Sequence, residues 1–265
     1  MQKLIYSFLL IIILQACNSV PRIAVSDSSM HTAEGLTVKG RNGFFIKQKL
    51  SFGEYKTIAV NRSWTKGSSW GFSVPVPNDW VERLNIDFVR RKQTVRFSLV
   101  DDAGHRSEVT AFSKVRWHDL SIGNNPNSIV NIIGDIMQIG DGGVNTYAVR
   151  IIPSKNAEPW EMLIDNNAAQ RNAKTYTGLL AKSKTEYYVV APVYQLINKQ
   201  GKAVNLPFGG SVGFEFRNEQ GQTVAAVSLM EKGTVYFGTV SKEEKFLLAN
   251  AAAALLLQQN LNEGS

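Results

Sequence analysis

The chain has 265 residues, a formal net charge of +7 and 44% hydrophobic residues, enough for a substantial core. It holds one cysteine, so no intrachain disulfide can form, and three histidines, His31, His105 and His118. The basic residues are spread along the chain apart from Arg90-Arg91-Lys92, and no nucleic-acid motif is present, so a nucleic-acid partner is not expected.

The first element is an export signal. Lys3 supplies a positive charge, and Leu4 to Leu14 (LIYSFLLIIIL) is an uncharged run of 11 residues. That matches a signal-peptide apolar region, whereas a membrane-spanning helix needs roughly 20 apolar residues. Leu14-Gln15-Ala16-Cys17 follows directly.

This four-residue motif resembles the lipobox of bacterial lipoproteins. The resemblance covers residues 1 to 18. It implies that residues 1–16 are removed, that the Cys17 thiol receives a diacylglyceryl group, and that the protein is exported and membrane-anchored. Asn18 is not the Asp that holds such proteins in the inner membrane, which favours the outer membrane. The segment Val20 to Thr32 lacks periodicity, so residues 17–34 are expected to be the lipidated cysteine and its tether. Residues 35–265 are expected to form the folded domain.

From Gly35 on, the pattern is one of hairpins. Gly43 to Phe52 alternates, with a Gly53-Glu54 turn into Tyr55 to Ser63. Gln93 to Val100 places Val95, Phe97 and Leu99 on one face. Asp101-Asp102-Ala103-Gly104 turns it into Arg106 to Lys114. Ile129 to Ile139 is paired with Val144 to Ile152, Tyr176 to Lys182 with Glu186 to Leu196, and Val212 to Arg217 with Thr223 to Met230. Val235 to Phe237 is a last short strand. The fold class is therefore mainly β, with antiparallel hairpins forming a barrel or a sandwich. The stretch Trp117 to Asn127 allows a subdomain boundary.

One helix ends the pattern. Ser241 and Glu244 have capping-box spacing, and Phe246 to Leu257 is apolar except for Asn250. A helix apolar on all sides should be buried on more than one side, over a sheet face or in a barrel mouth. Phe246, Leu248 and Leu255 are its expected core residues.

Catalytic and metal-binding patterns are scarce. No HExxH and no cluster with metal-ligand spacing occurs, so no metal and no cofactor is expected. Gly67-Ser68-Ser69-Trp70-Gly71 fits G-x-S-x-G, which would make Ser69 a hydrolase nucleophile with His105 or His118 as base. That elbow needs a helix after the serine, and Pro75 and Pro77 forbid one there, so Ser69 is read as a loop residue. Trp64, Trp70 and Trp80 lie interleaved with Arg62, Lys66, Asn78 and Asp79. Rings beside polar groups suit a ligand surface, though tryptophans more often fill β cores.

The resulting expectation is a membrane-anchored, non-enzymatic β module that binds a lipid, a glycan or an envelope protein. The alternatives are a serine hydrolase using Ser69 and a purely structural envelope protein.

Overall fold

The computed structural model describes residues 22–41, 48–64, 93–115, 146–206 and 210–258. Their strands are β1 (Arg22–Ile23), β2 (Gly35–Thr37), β3 (Ser51–Phe52), β4 (Tyr55–Trp64), β5 (Gln93–Val100), β6 (Glu108–Val115), β7 (Thr146–Ile152) and β8 (Trp160–Asp165). They continue with β9 (Gly178–Ala181), β10 (Tyr187–Val193), β11 (Gln195–Ile197), β12 (Ala203–Asn205), β13 (Gly213–Arg217), β14 (Thr223–Ser228) and β15 (Thr234–Phe237). Two α-helices are described, α1 (Asn166–Arg171) and α2 (Lys242–Leu257).

Twelve strands form one antiparallel sheet in the order β2-β15-β14-β13-β10-β9-β8-β7-β6-β5-β4-β3. Among the described residues, its two edges meet at one bridge. Lys39, just past β2, and Ser51 of β3 exchange both backbone hydrogen bonds, at 2.9 and 3.1 Å. The sheet is thus a nearly closed barrel, an arrangement that removes most of the unpaired edge a sheet exposes.

The pleat explains which residues fill it. Val95, Phe97 and Leu99 from β5, Tyr147, Val149 and Ile151 from β7, and Phe214 and Phe216 from β13 all join one buried cluster, alternating along their strands. The same cluster contains every residue of α2 from Phe246 to Leu257 except Asn250, which is itself fully buried. Twelve consecutive residues covered on all sides place the helix inside the barrel. Phe246, Leu248 and Leu255 are 6%, 0% and 0% exposed.

The interior satisfies the helix's polar groups one by one. Ser241 and Glu244 form the capping box at its start, and Tyr188 of β10 donates to Glu244 Oε1 at 3.0 Å. Buried Asn250 donates to Phe246 O and accepts from Ser107 Oγ. Burial pushes the Tyr147 phenol pKa up, so its hydroxyl stays a donor, and it bonds Ala254 O at 2.6 Å. Arg62 of β4 donates to Leu257 O at 2.9 Å, placing a cation at the negative end of the helix dipole.

The tether expected over 17–34 is corrected over its described part. From Arg22 on, the chain is built into the outer wall. β1 pairs with β11, and β11 with β12, as a small three-stranded sheet. Ser28–Thr32 forms a 3-10 helix capped by Asp27. Ile23, Val25 and Met30 pack with Val193, Ala226 and Tyr236 in a second core cluster outside the barrel. Ser26 N–H reaches Glu215 Oε2 at 2.8 Å, and Arg22 donates to Met30 O and Ala33 O while lying 4.7 Å above the Tyr236 ring. Polar composition hid this packing, because three apolar anchors suffice when backbone pairing supplies the rest.

Two further expectations need restating. β8 had no counterpart in the hairpin series, and β7 pairs with β6 and β8. Residues 129–139, expected to pair with β7, lie outside the described residues, as do 43–47. So does the 117–127 boundary, but the strands on either side of it, β6 and β7, are neighbours in the one sheet. Among the described residues, no helix is long and apolar enough to cross a membrane.

Candidate functional site

With α2 occupying the barrel interior, a cavity with room for a ligand lies on the surface. It is an open cleft of about 440 Å³ lined by Gln170 to Thr175 on one side and by Tyr194, Asn205, Leu206 and Gly210 on the other. Its size lies within the usual range of small-molecule pockets.

Local sequence builds the first wall. Asp165 ends β8 and caps α1, its Oδ1 accepting from Asn167 N and Ala168 N at 2.9 and 3.0 Å. The helix lasts six residues. Asn172 then closes it by donating to Ala168 O, and accepts in turn from Thr175 N and Tyr176 N, both at 2.9 Å. The result is a tight turn that holds Arg171 and Lys174 out into solvent. Asp165 is therefore a helix cap rather than the simple turn residue its Asn166-Asn167 neighbours imply.

The second wall is the base of the β11–β12 hairpin. Gln195 donates to Asn205 Oδ1 at 2.8 Å and fixes the two strands, leaving Tyr194 half-buried beside the opening. Gly210 and Ser211 join the walls. Ser211 N–H donates to Gln170 Oε1 at 3.1 Å. Gly210 has φ +82°, and a Cβ there would sit 2.5 Å from Gln170 Oε1, so the close approach needs glycine.

Among the described residues, the lining carries two cations, Arg171 and Lys174, and no carboxylate. With the Asn172 amide and the Tyr194 ring it offers charge, hydrogen bonds and a stacking face. Among the described residues, it contains no nucleophile beside a base, and no group of three metal-ligating side chains occurs.

The residues singled out from sequence fall elsewhere. Cys17, Ser69, Trp70, Trp80 and His118 lie outside the described residues. Trp64 ends β4, its backbone paired with Gln93. His31 lies in the 3-10 helix, with Nε2 3.0 Å from Val25 O. His105 is held by Asp101 in the β5–β6 turn: Asp101 Oδ1 accepts its backbone N–H at 2.8 Å, and Nδ1 is 2.6 Å from Oδ2. Burial opposes the charge on Asp101, but these His105 bonds outweigh it and hold the carboxyl below its usual range. The His105 ring lies against Phe246, at the start of α2.

The cleft had no sequence signature. Its two walls, residues 170–175 and 194–210, lie 19 residues apart in sequence, and each alone is an ordinary polar turn. Compared with known proteins, the chain matches no family model, no curated protein and no solved structure.

Proposed function

We propose that the protein is an exported lipoprotein, anchored through Cys17 and directed by Asn18 to the outer membrane, whose helix-filled barrel is a non-enzymatic scaffold for a surface ligand site. The ligand class that suits the cleft is an acidic saccharide of the envelope. Guanidinium and ammonium groups bind carboxylates, amides bind sugar hydroxyls, and an aromatic ring stacks on a sugar face. The observation that supports this reading is the pairing of Arg171 and Lys174 with Tyr194 in one carboxylate-free opening. A lipid held inside the barrel, by contrast, would have to displace α2.

Titration with tetragalacturonate tests the ligand. Saturable binding is expected, weakened at least about tenfold by the double substitution Arg171→Ala and Lys174→Ala, since losing charge-assisted bonds costs roughly 1.5–3 kcal/mol each. Equal binding of an uncharged galactose tetramer, or no effect of the double substitution, would contradict it. The anchor has its own test. Radiolabelled fatty acid should enter the wild type and not Cys17→Ser, which should accumulate as precursor. Equal labelling of both would contradict the lipoprotein reading.

A further inference from the structure

The outer wall carries a second surface whose position is tied to the start of the fold. Arg22 is the first described residue and pairs with Ile197, the last residue of β11. Because β1 and β11 are antiparallel, the strand direction at Arg22, followed backwards, runs past the turn that joins β11 to β12. Cys17 lies five Cα steps before Arg22, which spans at most about 18 Å. That keeps Arg22 nearer the anchor than a tether running to residue 34 would allow.

The turn itself is rigid. Asn198 N–H donates to Lys202 O at 2.9 Å, and Asn198 Oδ1 accepts from Gln200 N and Lys202 N, each at 2.9 Å. Gly201 supplies the left-handed residue, with φ +74°. Lys199 and Lys202 on it are exposed, and Tyr194 to Leu206 contains no acidic residue. β12 is exposed along its whole length, and its Val204, at 41%, is the exposed large hydrophobic side chain among the described residues. Two ammonium groups on a fixed turn beside an apolar side chain match a bilayer surface, with its anionic headgroups over hydrocarbon.

We infer that the β11–β12 turn is the membrane-facing end of the protein, with Lys199 and Lys202 set against anionic headgroups of the bilayer that holds Cys17. The inference rests on the lipid anchor proposed above. It orients the domain: the cleft, whose Tyr194, Asn205 and Leu206 form the base of the same hairpin, opens about three residues, or roughly 10 Å, from that surface. The negative potential of a membrane decays within about 10 Å, so a turn set against the bilayer brings both lysines into it.

The test uses the full, lipidated chain in phosphatidylcholine vesicles with and without phosphatidylglycerol. With Cys17 occupied by lipid, Gln200→Cys and Gln220→Cys each give one free thiol for a fluorophore. Gln220 is the control, because β13 leads from Gly213, paired with Val193 just before the hairpin, to a turn at the opposite end of the barrel. A nitroxide on the lipid headgroup should quench the probe at 200 and leave the probe at 220 bright. Lys199→Glu with Lys202→Glu should reduce quenching at 200 in the vesicles with phosphatidylglycerol and change nothing in phosphatidylcholine alone. Equal quenching at both positions, stronger quenching at 220, or indifference to the charge reversal would each overturn the inference. Fatty-acid labelling of the same samples separates the two claims. Label at Cys17 with a bright probe at 200 defeats only the orientation, whereas no label defeats both.

Discussion

The helix inside the barrel and the N-terminal cover outside it are buried by different means. α2 presents apolar side chains in every direction, and all of them are covered. The cover, residues 22–33, buries Ile23, Val25 and Met30 and otherwise relies on backbone pairing with β11, the 3-10 turn, and a few charged bonds. Burial on all sides leaves a compositional mark that sequence carries openly. Attachment by a few anchors leaves almost none, and a segment such as Arg22 to Thr32 then passes for a tether.

The largest effect should come from the interior. Deleting residues 241 to 265 empties the barrel and should leave the lipid-free protein aggregated or unfolded in size-exclusion chromatography. The graded version is Leu248→Ala, at a fully buried position, expected to cost about 2–5 kcal/mol in denaturant unfolding because a cavity remains. A deletion variant that stayed monomeric with an unchanged melting temperature would reverse the assignment of core and cover.

The cover should be weaker and should hinge on one carboxylate. Glu215 is 2% exposed, accepts from Ser26 N–H and Thr223 Oγ1 on one oxygen, and pairs with Arg217 on the other. Glu215→Ala should cost about 1–3 kcal/mol, since it strands the buried Thr223 hydroxyl and the part-buried Ser26 N–H. Limited proteolysis should then cut within residues 22–33 before it reaches the barrel. Simultaneous cleavage of both regions would mean that they unfold as one unit.

Smaller still is the cap where α2 starts. Ser241→Ala should cost about 1 kcal/mol by calorimetry. Partial burial raises the Glu244 pKa, but the Ser241 and Tyr188 bonds lower it further, so it sits below the usual value. A lowered carboxylate pKa stabilises the fold at neutral pH and loses that contribution as pH falls through the folded value. Glu244→Gln should therefore make stability less sensitive to acid, not to base.

The smallest change sharpens the barrel wall. Ala59 has φ +52° at a bulge where Ile58 to Asn61 faces Ser98 to Arg96. A left-handed conformation costs a non-glycine residue about 1 kcal/mol or more, so Ala59→Gly should be neutral or slightly stabilising, against the usual trend for glycine in a strand. Clear destabilisation would remove the bulge from the account.

The same physical contrast decides what sequence revealed. β5 is found over the residues expected, Gln93 to Val100, because its inner and outer faces differ in polarity. β8 was missed because Met162, Leu163 and Ile164 are all buried, which erases alternation. The capping box at Ser241 and Glu244 was legible because it is local in sequence. The cleft was not, since Arg171, Lys174 and Tyr194 meet only through tertiary folding.

Amide hydrogen exchange across α2 tests most directly whether the helix is the core of the barrel. The amides of Phe246 to Leu257 should exchange only through global unfolding, as slowly as those of β7 and β14, while residues 22–33 open at lower free energy. Exchange of the helix ahead of β7 and β14, by an opening that leaves the strands protected, would contradict a barrel built around it.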